Sequence, residues 1–516
     1  MLNLKKCSVW LFSQTATKWV LHILFCAVYV GLIGTLADFL DTPVSSIFDY
    51  ITALLHGGVV VFALFTSLLL LSLLGKWVFA IAYSLLCLIA SCLAYFRYTI
   101  HFSFNTMIMD VIFQNDINVS ADMVTWPLLL WMLLTTAIGG FIAWKGGKYS
   151  LNMRSKPIVA IALLAAVSLG VLFGPSSRLA SPINMRIPFS FFYTINQYVE
   201  QKHEIKQVRP RQCTYATVNA ADSVTVVVVI GEAVRPSNLS INGYHRQTTP
   251  CIEKWNVVSL DSVFSDYVYT NRSVPHLLSR ATTQNPEVAY SERSFIDVFK
   301  AAGIKTATIL NQDAERPYAY FMHEADTVIA CNTSKTVYNF SKWLDQDVLL
   351  PYQALLTQNQ YPFILIHTIG SHWWYNAHYH SDYELFKPVM QSRNIALCDS
   401  MEIVNAYDNT ILYADYIWGQ LIESLQHKKA VLIYLSDHGE ALGEEGVWLH
   451  ASELPIMHHT AAFVWMSPLY KEAYPQKYNN LLQHKHKRLK TDFLYHSVID
   501  AASIETDVLD SSLSVF

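Results

Sequence analysis

Three side chains in the second half of the sequence carry donor atoms that bind divalent metal ions. Glu232 follows the apolar run at 224–230, and Asp437 and His438 follow the apolar run at 431–435. Two carboxylates and one imidazole form a ligand set that suits Zn²⁺ and, as a second choice, Mn²⁺. With three protein ligands, a zinc ion would keep one position open for a nucleophile. The sequence therefore predicts a metal-dependent enzyme.

The dipeptide Asp437-His438 also has a simpler interpretation, as a turn that is capped by an aspartate. The metal-site interpretation is favoured because Gly439 permits a tight turn and because Glu232 also lies directly after a predicted strand. One strand that ends in a polar residue is unremarkable, but several such ends are difficult to explain by stability alone.

The second half alternates between strand-like and helix-like segments, which predicts an α/β domain with a largely parallel central sheet. Four strand-like runs lie at 224–230, 306–310, 363–366 and 431–435, and helical stretches lie at 295–302 and 403–426. Polar residues follow each strand: Glu232; Asn311, Gln312 and Asp313; His367, Ser371 and His372; Asp437, His438 and Glu440. Open α/β sheets bind ligands beyond the carboxyl ends of their strands, so we expect these side chains to converge.

The first half contains five apolar segments long enough to cross a bilayer, which predicts a multi-pass α-helical membrane domain. They lie at about 19–36, 51–74, 77–95, 124–144 and 157–174. Lysine and arginine residues are concentrated before the first segment, between the second and third, and between the fourth and fifth. This distribution predicts a cytoplasmic amino terminus and an external second half, in the periplasm of a Gram-negative cell.

These patterns predict a transmembrane domain at 1–174, an interfacial helix and linker at 175–222, and a catalytic domain at 223–516. The loop at 97–123 and the aromatic-rich stretch at 186–202 both suit a position at the lipid headgroups, and a plain linker is the equally open alternative. The net charge of −4 argues against nucleic acid as a partner. The eight cysteines form neither CxxC pairs nor a regular framework.

Five blocks resemble the signature motifs of the bacterial phosphoethanolamine transferases, including the lipid A-modifying type, within the alkaline phosphatase/sulfatase superfamily. The resemblance implies five amino-terminal spans and a periplasmic catalytic domain, and it extends over the whole chain. The blocks are IGEAVRPSNLSINGYHRQTTP (230–250), TNRSVPHLLS (270–279), HTIGSH (367–372), NAYDNTILYADY (405–416) and LSDHGEALGEEGVWLH (435–450).

The resemblance implies a nucleophile and a zinc site. Thr270, three residues before the Ser-Val-Pro sequence, occupies the position of the threonine that takes phosphoethanolamine from phosphatidylethanolamine as a covalent intermediate. Glu232, Asp437 and His438 match the zinc ligands of the family, and Thr270 completes the set. This assignment agrees with general chemistry, because a threonine hydroxyl needs a metal or an adjacent base to become a good nucleophile.

The resemblance also implies residues that bind substrate. His372 and His450 match histidines that contact the donor or the acceptor, and they can move protons because imidazole titrates near neutral pH. Asn311 and Gln312 fall where the family places amide contacts to the substrate phosphate.

The implied activity is transfer of phosphoethanolamine from phosphatidylethanolamine to lipid A, the lipopolysaccharide core or another periplasmic glycan, by an enzyme of the bacterial inner membrane. Alternatives are a phosphoglycerol transferase of the lipoteichoic acid synthase type, a sulfatase-like phosphodiesterase, and an inactive binding module. The Ser-Val-Pro and Asn-Ala-Tyr-Asp-Asn blocks argue against the first. The absence of a formylglycine motif near Thr270 argues against a sulfatase, and the intact ligand set argues against a binding module.

One departure from the family concerns disulfide bonds. Relatives of the lipid A-modifying type carry several of them, including one that brackets the nucleophile, but this chain has no cysteine between Cys251 and Cys331. Four cysteines lie in the second half, which allows at most two bridges: Cys213, Cys251, Cys331 and Cys398. We therefore expect packing, rather than that bridge, to hold the catalytic loop.

Overall fold

The protein is described by a computed structural model that divides into two compact units, one ending at Tyr198 and the other beginning at Val199. The structure describes residues 14–40, 47–100, 104, 106, 109, 125–146, 156–173, 183–207, 209–218, 224–331, 342–392, 395, 398–450 and 453–516. Apart from the end of one helix and three isolated positions, the loop predicted at 97–123 lies outside these residues.

The amino-terminal unit is helical. Its described helices, the last of which continues beyond Tyr198, are α1 Gln14–Leu40, α2 Ile47–Leu73, α3 Lys76–Ile100, α4 Trp126–Gly146, α5 Lys156–Phe173 and α6 Phe189–Lys206. Within the described residues, the first four contain segments long and apolar enough to cross a membrane. The fifth predicted span coincides with α5, whose described apolar part, Leu164–Phe173, is shorter than a span requires. That fifth crossing stays a prediction.

Hydrogen bonds between helices accompany the apolar packing of this unit. The hydroxyl groups of Ser91 on α3 and Thr135 on α4 lie 2.6 Å apart, and the phenol of Tyr29 on α1 donates to the carbonyl of Thr135 over 2.7 Å. A buried hydroxyl is costly without a partner, so these contacts favour one arrangement of the three helices.

The carboxyl-terminal unit is an α/β domain. Its strands are β1 Ala216–Thr217, β2 Thr225–Gly231, β3 Val258–Phe264, β4 Thr306–Leu310, β5 Thr327–Ala330, β6 Phe363–His367, β7 Ala430–Ser436, β8 Ala441–Leu442, β9 Trp448–Leu449, β10 His459–Met466, β11 Leu489–Lys490 and β12 Glu505–Thr506. Its helices are α7 Pro250–Lys254, α8 Thr270–Leu278, α9 Val288–Ser291, α10 Phe295–Ala301, α11 Arg316–Met322, α12 Leu349–Gln358, α13 Ser400–Glu423, α14 Pro455–His458, α15 Pro468–Ala473, α16 Pro475–His484 and α17 Phe493–Ala501.

Eight strands form the central sheet, in the order β11-β3-β10-β7-β2-β6-β4-β5. Strand β10 is antiparallel to both of its neighbours, and the other pairs are parallel. The four strands predicted from the sequence are β2, β4, β6 and β7, and they are consecutive in the sheet. The prediction of a largely parallel sheet is confirmed.

The sequence explains why these four strands lie at the centre. Every residue of β4, β6 and β7 is buried, and in β2 only Thr225 is partly accessible. Runs of valine, isoleucine and leucine suit strands that are covered on both faces. Because β7, β2, β6 and β4 point the same way, their carboxyl ends lie at one edge of the sheet, where polar residues follow each of them.

Candidate active site

Glu232 and Asp437 lie side by side because they continue two neighbouring strands. Gly231 and Ser436 are partners in the register of β2 and β7, and the next residue of each strand is a carboxylate. The amide of Asp437 donates to the carbonyl of Gly231 over 3.1 Å, which extends the pairing by one residue. The expected convergence of strand ends therefore occurs for these two residues.

Backbone groups orient the side chains of Asp437 and His438. Oδ1 of Asp437 accepts hydrogen bonds from the amides of Ala233 (3.2 Å) and His438 (2.8 Å). Nδ1 of His438 lies 2.8 Å from the carbonyl oxygen of Gly439 and donates to it, so in the neutral imidazole the lone pair lies on Nε2, where a metal ion can bind. Gly439 is required here because a Cβ atom would lie 2.4 Å from the carbonyl oxygens of Ile456 and His459, rather than for a tight turn.

Among the described residues, three atoms of this cluster have no hydrogen-bond partner although their residues are fully buried: Oε1 of Glu232, Oδ2 of Asp437 and Nε2 of His438. Nε2 lies 3.2 Å from Oε1 and 3.5 Å from Oδ2, and one donor atom from each residue lies within 4.8 Å of the others. Unpartnered buried polar atoms are costly unless a cation satisfies them. Two carboxylate oxygens and one imidazole nitrogen fit a zinc ion.

The pKa values of the cluster show how much charge it concentrates. Burial and the charge of Glu232 raise the pKa of Asp437 to about 7. Burial lowers the pKa of His438, but Asp437 and Glu232 outweigh it and raise that pKa to about 10. Burial also opposes ionisation of Glu232, yet His438 holds its pKa below the ordinary value. A bound divalent cation would provide the positive charge that the imidazolium otherwise supplies.

Thr270 lies at the start of α8 and contacts the cluster directly. Its hydroxyl donates a 2.7 Å hydrogen bond to Oε2 of Glu232. The preceding residue, Tyr269, is the N-cap and makes no side-chain capping hydrogen bond, although its carbonyl accepts from the amide of Arg272. Among the described residues, the amides of Thr270 and Asn271 are therefore left for an anion. The hydroxyl predicted as the nucleophile therefore lies between the unpartnered ligand set and the positive end of a helix.

Side-chain hydrogen bonds hold the loop before Thr270. Ser273 donates to the carbonyl of Tyr267 over 3.2 Å, and Asp266 accepts 2.7 Å hydrogen bonds from both Thr283 and Lys490. All seven cysteines in the described part of the chain are free thiols, including the four of the second half. The loop is therefore held by polar contacts and packing without a disulfide.

His450 and His372 gather beside His438. The ring centroids of His438 and His450 are 4.7 Å apart, and those of His450 and His372 are 6.3 Å apart. Burial lowers the pKa of His372 below its ordinary value. Burial acts in the same direction on His450, but the carboxylate of Glu440 outweighs it, so the pKa of His450 is raised. Opposite shifts in two neighbouring imidazoles favour a division of acid and base roles.

Glu440 and Tyr375 support His450, and sequence reasoning did not assign them roles. Oε2 of Glu440 lies 3.0 Å from Nδ1 of His450, and Oε1 accepts a 2.5 Å hydrogen bond from the phenol of Tyr375. Glu440 is fully buried and also belongs to a second possible metal-binding group, with His438 and His450. Its place in the Asp-His-Gly-Glu sequence was a signal for Glu440, but nothing in the sequence pointed to Tyr375.

The two predicted amide residues occupy different positions. Nε2 of Gln312 donates to Oε2 of Glu232 over 3.2 Å, so Gln312 belongs to the site. Nδ2 of Asn311 donates to Oδ1 of Asp345 (2.7 Å) and to the carbonyl of Leu344 (3.2 Å). Asp345 in turn accepts from the amides of Ile369 and Gly370, at 2.9 Å each. Asn311 therefore supports the loop that leads to His372.

Residues 224–504 match the family model described as Sulfatase. The chain belongs to the sulfatase family. Residues 59–202 match a second family model, described as Phosphoethanolamine transferase EptA/EptB. The resemblance to the phosphoethanolamine transferases that the sequence motifs indicated is thus confirmed.

Similar proteins carry related names. Phosphoethanolamine transferase EptA of Escherichia coli K12 is 30% identical over 294 residues, which are 54% of this chain and 53% of that protein, so the match spans about half its length. Kdo(2)-lipid A phosphoethanolamine 7''-transferase of Salmonella typhimurium LT2 is 25% identical over 89% of this chain and 88% of its own. The C-terminal periplasmic domain of EptC from Escherichia coli, solved in complex with Zn, has the same fold, with a TM-score of 0.53, 24% identity, and coverage of 60% of this chain and 90% of that domain.

Proposed function

We propose that the protein transfers phosphoethanolamine from phosphatidylethanolamine to a periplasmic glycolipid or glycan, through a phosphothreonine intermediate at Thr270. One observation carries the proposal. The hydroxyl of Thr270 is bonded to Glu232, a carboxylate whose other oxygen belongs to the unpartnered, buried ligand set. The names of the relatives and the match to the EptA/EptB family model support the transferred group.

Zinc is the proposed metal, with manganese as a less favoured alternative. Glu232, Asp437 and His438 would hold it, and Thr270 would complete the set. The E. coli EptC domain, which is a zinc complex, supports this choice. When bound, a zinc ion supplies positive charge that favours the alkoxide of a coordinated hydroxyl and balances the charge on the phosphoryl oxygens.

The first half-reaction forms a bond from Thr270 Oγ1 to the phosphorus of the donor and breaks the bond from phosphorus to the diacylglycerol oxygen. The hydroxyl proton leaves along the hydrogen bond to Glu232. His450, whose pKa is raised beside Glu440, gives a proton to the departing diacylglycerol oxygen. His372 is proposed to contact the donor or the acceptor.

The second half-reaction reverses these roles. A hydroxyl or phosphate oxygen of the acceptor attacks the phosphothreonine and gives any proton it carries to neutral His450. The bond between phosphorus and Thr270 breaks, and Thr270 regains its proton from Glu232. Asn311 and Gln312 are proposed to help position the phosphate. Gln312 would act directly at the site, and Asn311 would act indirectly, by its hydrogen bond to Asp345.

Lipid A or the lipopolysaccharide core is the proposed acceptor, because one relative is named a Kdo(2)-lipid A phosphoethanolamine 7''-transferase. The proposed location is the bacterial inner membrane, with the catalytic domain in the periplasm. The apolar helices of the amino-terminal unit and the solved periplasmic domain of EptC support this location.

The test compares lipid A and core mass spectra from a deletion strain that carries the wild-type gene, a Thr270→Ala gene or no gene. The proposal expects a phosphoethanolamine addition only with the wild-type gene, at matched amounts of membrane-inserted protein. If the Thr270→Ala gene restores the addition, the covalent route is wrong. If no lipid or glycan gains phosphoethanolamine in any strain, the proposed transfer is wrong.

A further inference from the structure

The loop between β4 and α11 carries two carboxylates, Asp313 and Glu315, that form no ion pair with any lysine or arginine side chain that the structure describes. Asp313 is half-buried, and its Oδ1 is buried without a hydrogen-bond partner. Glu315 is exposed, and although it is the N-cap residue of α11 its side chain makes no capping hydrogen bond. Among the described side chains, no lysine or arginine forms an ion pair with either carboxylate.

These carboxylates lie beside the nucleophile. Gln312, the residue before Asp313, donates a hydrogen bond to Oε2 of Glu232. The same oxygen accepts a hydrogen bond from the hydroxyl of Thr270. At the other end of the loop, the side chain of Asn271, which directly follows Thr270, interacts with Glu315. The loop therefore begins and ends next to Thr270.

A second oxygen in the loop also lacks a hydrogen-bond partner among the described residues. Gln312 is only 7% exposed. Its Oε1 is buried without a hydrogen bond, whereas its Nε2 donates a hydrogen bond to Glu232. Acceptor oxygens thus extend from the buried amide of Gln312 through half-buried Asp313 to exposed Glu315. Burial, and to a smaller extent the charge of Glu315, raises the pKa of Asp313 to about 7, as expected for a carboxylate without a nearby cation.

We propose that Gln312, Asp313 and Glu315 form a subsite for the ammonium group of the headgroup that Thr270 receives. A primary ammonium has three N–H donors and one positive charge, which match an amide oxygen and two carboxylates. The inference rests on the proposed function and deepens it. In phosphoethanolamine two carbons separate the ammonium from the phosphate ester, so a phosphate at Thr270 brings the ammonium to this loop. A neutral headgroup such as glycerol gains nothing from two carboxylates, and the subsite therefore selects ethanolamine.

The test uses the full-length, zinc-loaded protein in detergent with two chromogenic donors that differ only at the distal group. One is p-nitrophenyl phosphoethanolamine, and the other is p-nitrophenyl propyl phosphate, in which a methyl group replaces the ammonium. Release of p-nitrophenolate gives kcat/KM for each. The variants are Asp313→Asn, Glu315→Gln and the double variant, and Asp382→Asn, at an exposed carboxylate, is the matched control.

The wild type and the control should prefer the ammonium donor by on the order of tenfold to a hundredfold, the usual effect of hydrogen bonds to a charged group. The double variant should lose most of this preference, because its kcat/KM falls for the ammonium donor and not for the propyl donor. Bound zinc should be unchanged in all variants.

Two results would overturn the subsite: a wild type without preference, or variants that lose activity equally on both donors. The second result would indicate that the loop supports the fold or holds a metal ion. Failure of the proposed function has a different signature, since a wild type that releases p-nitrophenolate from neither donor, or transfers no phosphoethanolamine from phosphatidylethanolamine, would contradict the activity itself.

Discussion

The hydroxyl of Thr270 lies 2.7 Å from Oε2 of Glu232, while Oε1 of the same carboxylate has no hydrogen-bond partner in the part of the chain that the structure describes. One carboxylate thus faces the nucleophile with one oxygen and the ligand set with the other. This relationship couples the position of the reactive hydroxyl to the occupancy of the metal site. Changes that disturb the ligand set should therefore disturb Thr270 as well.

Removal of one ligand charge should abolish the stabilisation that zinc provides. Asp437→Asn removes a carboxylate from the buried set, and we expect its zinc content to fall sharply. Zinc at a thousand times its dissociation constant should stabilise the wild type by about 4 kcal/mol and the variant hardly at all. Thermal unfolding in detergent, with and without added zinc, measures both.

Glu453→Gln is the control for this experiment, because that carboxylate is largely exposed and pairs with His458, away from the ligand set. Its response to zinc should match the wild type. Equal zinc stoichiometry and equal stabilisation in Asp437→Asn would contradict the assignment of Asp437 as a ligand.

Glu440→Gln should impair proton transfer without removing a ligand of the proposed zinc set. The amide can no longer fix the tautomer of His450 as a carboxylate does, so we expect kcat to fall by on the order of a hundredfold. Tyr375→Phe removes only the hydrogen bond to Oε1 of Glu440 and should reduce kcat less. Steady-state kinetics with a soluble donor, together with metal analysis, would measure the effect.

Glu444→Gln provides a nearby comparison, since Glu444 pairs with Arg235 and gives no support to His450 in the hydrogen bonds of the described residues. It should retain most of the wild-type kcat. If Glu440→Gln keeps full kcat with normal zinc, His450 does not depend on Glu440, and the proposed acid is wrong.

Two glycines with positive φ offer a matched pair for the loop that leads to His372. Gly370→Ala would place a Cβ atom 2.8 Å from the carbonyl oxygen of Glu232, whereas the Cβ in Gly303→Ala would meet nothing within 4 Å. Both changes place an alanine in the left-handed region and should lower the free energy of unfolding by about 1 kcal/mol. The clash in Gly370→Ala should increase that loss to about 3 kcal/mol. Unfolding measurements should rank them in this order, and only Gly370→Ala should lose zinc. Equal costs would show that the close approach to Glu232 is not required.

Glu324 should make the stability of the catalytic domain depend on pH. Burial raises its pKa from 4.5 to about 7, although hydrogen bonds from Ser294 oppose the shift. The folded state therefore holds the proton more tightly than the unfolded state. Its contribution is fully present below pH 4.5 and is lost as the pH rises towards 7, by about 3 kcal/mol in total.

The glutamine in Glu324→Gln stays neutral, so the variant should not lose stability in this way. Its unfolding free energy, relative to that of the wild type, should therefore be larger at pH 8 than at pH 4.5. Unfolding temperatures at several pH values provide the measurement. Glu472→Gln, at an exposed position on α15, should follow the wild-type profile. Parallel profiles for Glu324→Gln and the wild type would contradict the assignment.

The parallel sheet and the meeting of Glu232 with Asp437 could be predicted from the sequence for a simple physical reason. Continuous β-branched and aliphatic runs form strands that are buried on both faces. The residues that follow neighbouring parallel strands lie at the same edge of the sheet. His438 follows directly from Asp437. Thr270 required the family resemblance, because a threonine in a polar segment carries no pattern of its own.

Contacts between distant loops could not be predicted in this way. The bond of Tyr375 to Glu440 and the use of Asn311 to bind Asp345 depend on loop paths that hydrophobic periodicity does not determine. Asn311 and Gln312 are adjacent in the sequence, yet one supports a loop and the other bonds to Glu232. That Oε1 of Gln312 and Oδ1 of Asp313 lack hydrogen-bond partners among the described residues became visible only when their neighbours in space were known.

The central claim is that Thr270 carries the transferred group, and intact-protein mass spectrometry tests it most directly. The purified protein is incubated with phosphatidylethanolamine in detergent without acceptor, then digested to locate the adduct. We predict one phosphoethanolamine per chain on the peptide that contains Thr270, and none in Thr270→Ala with normal zinc content. An adduct at another residue, or wild-type turnover by Thr270→Ala, would contradict the account.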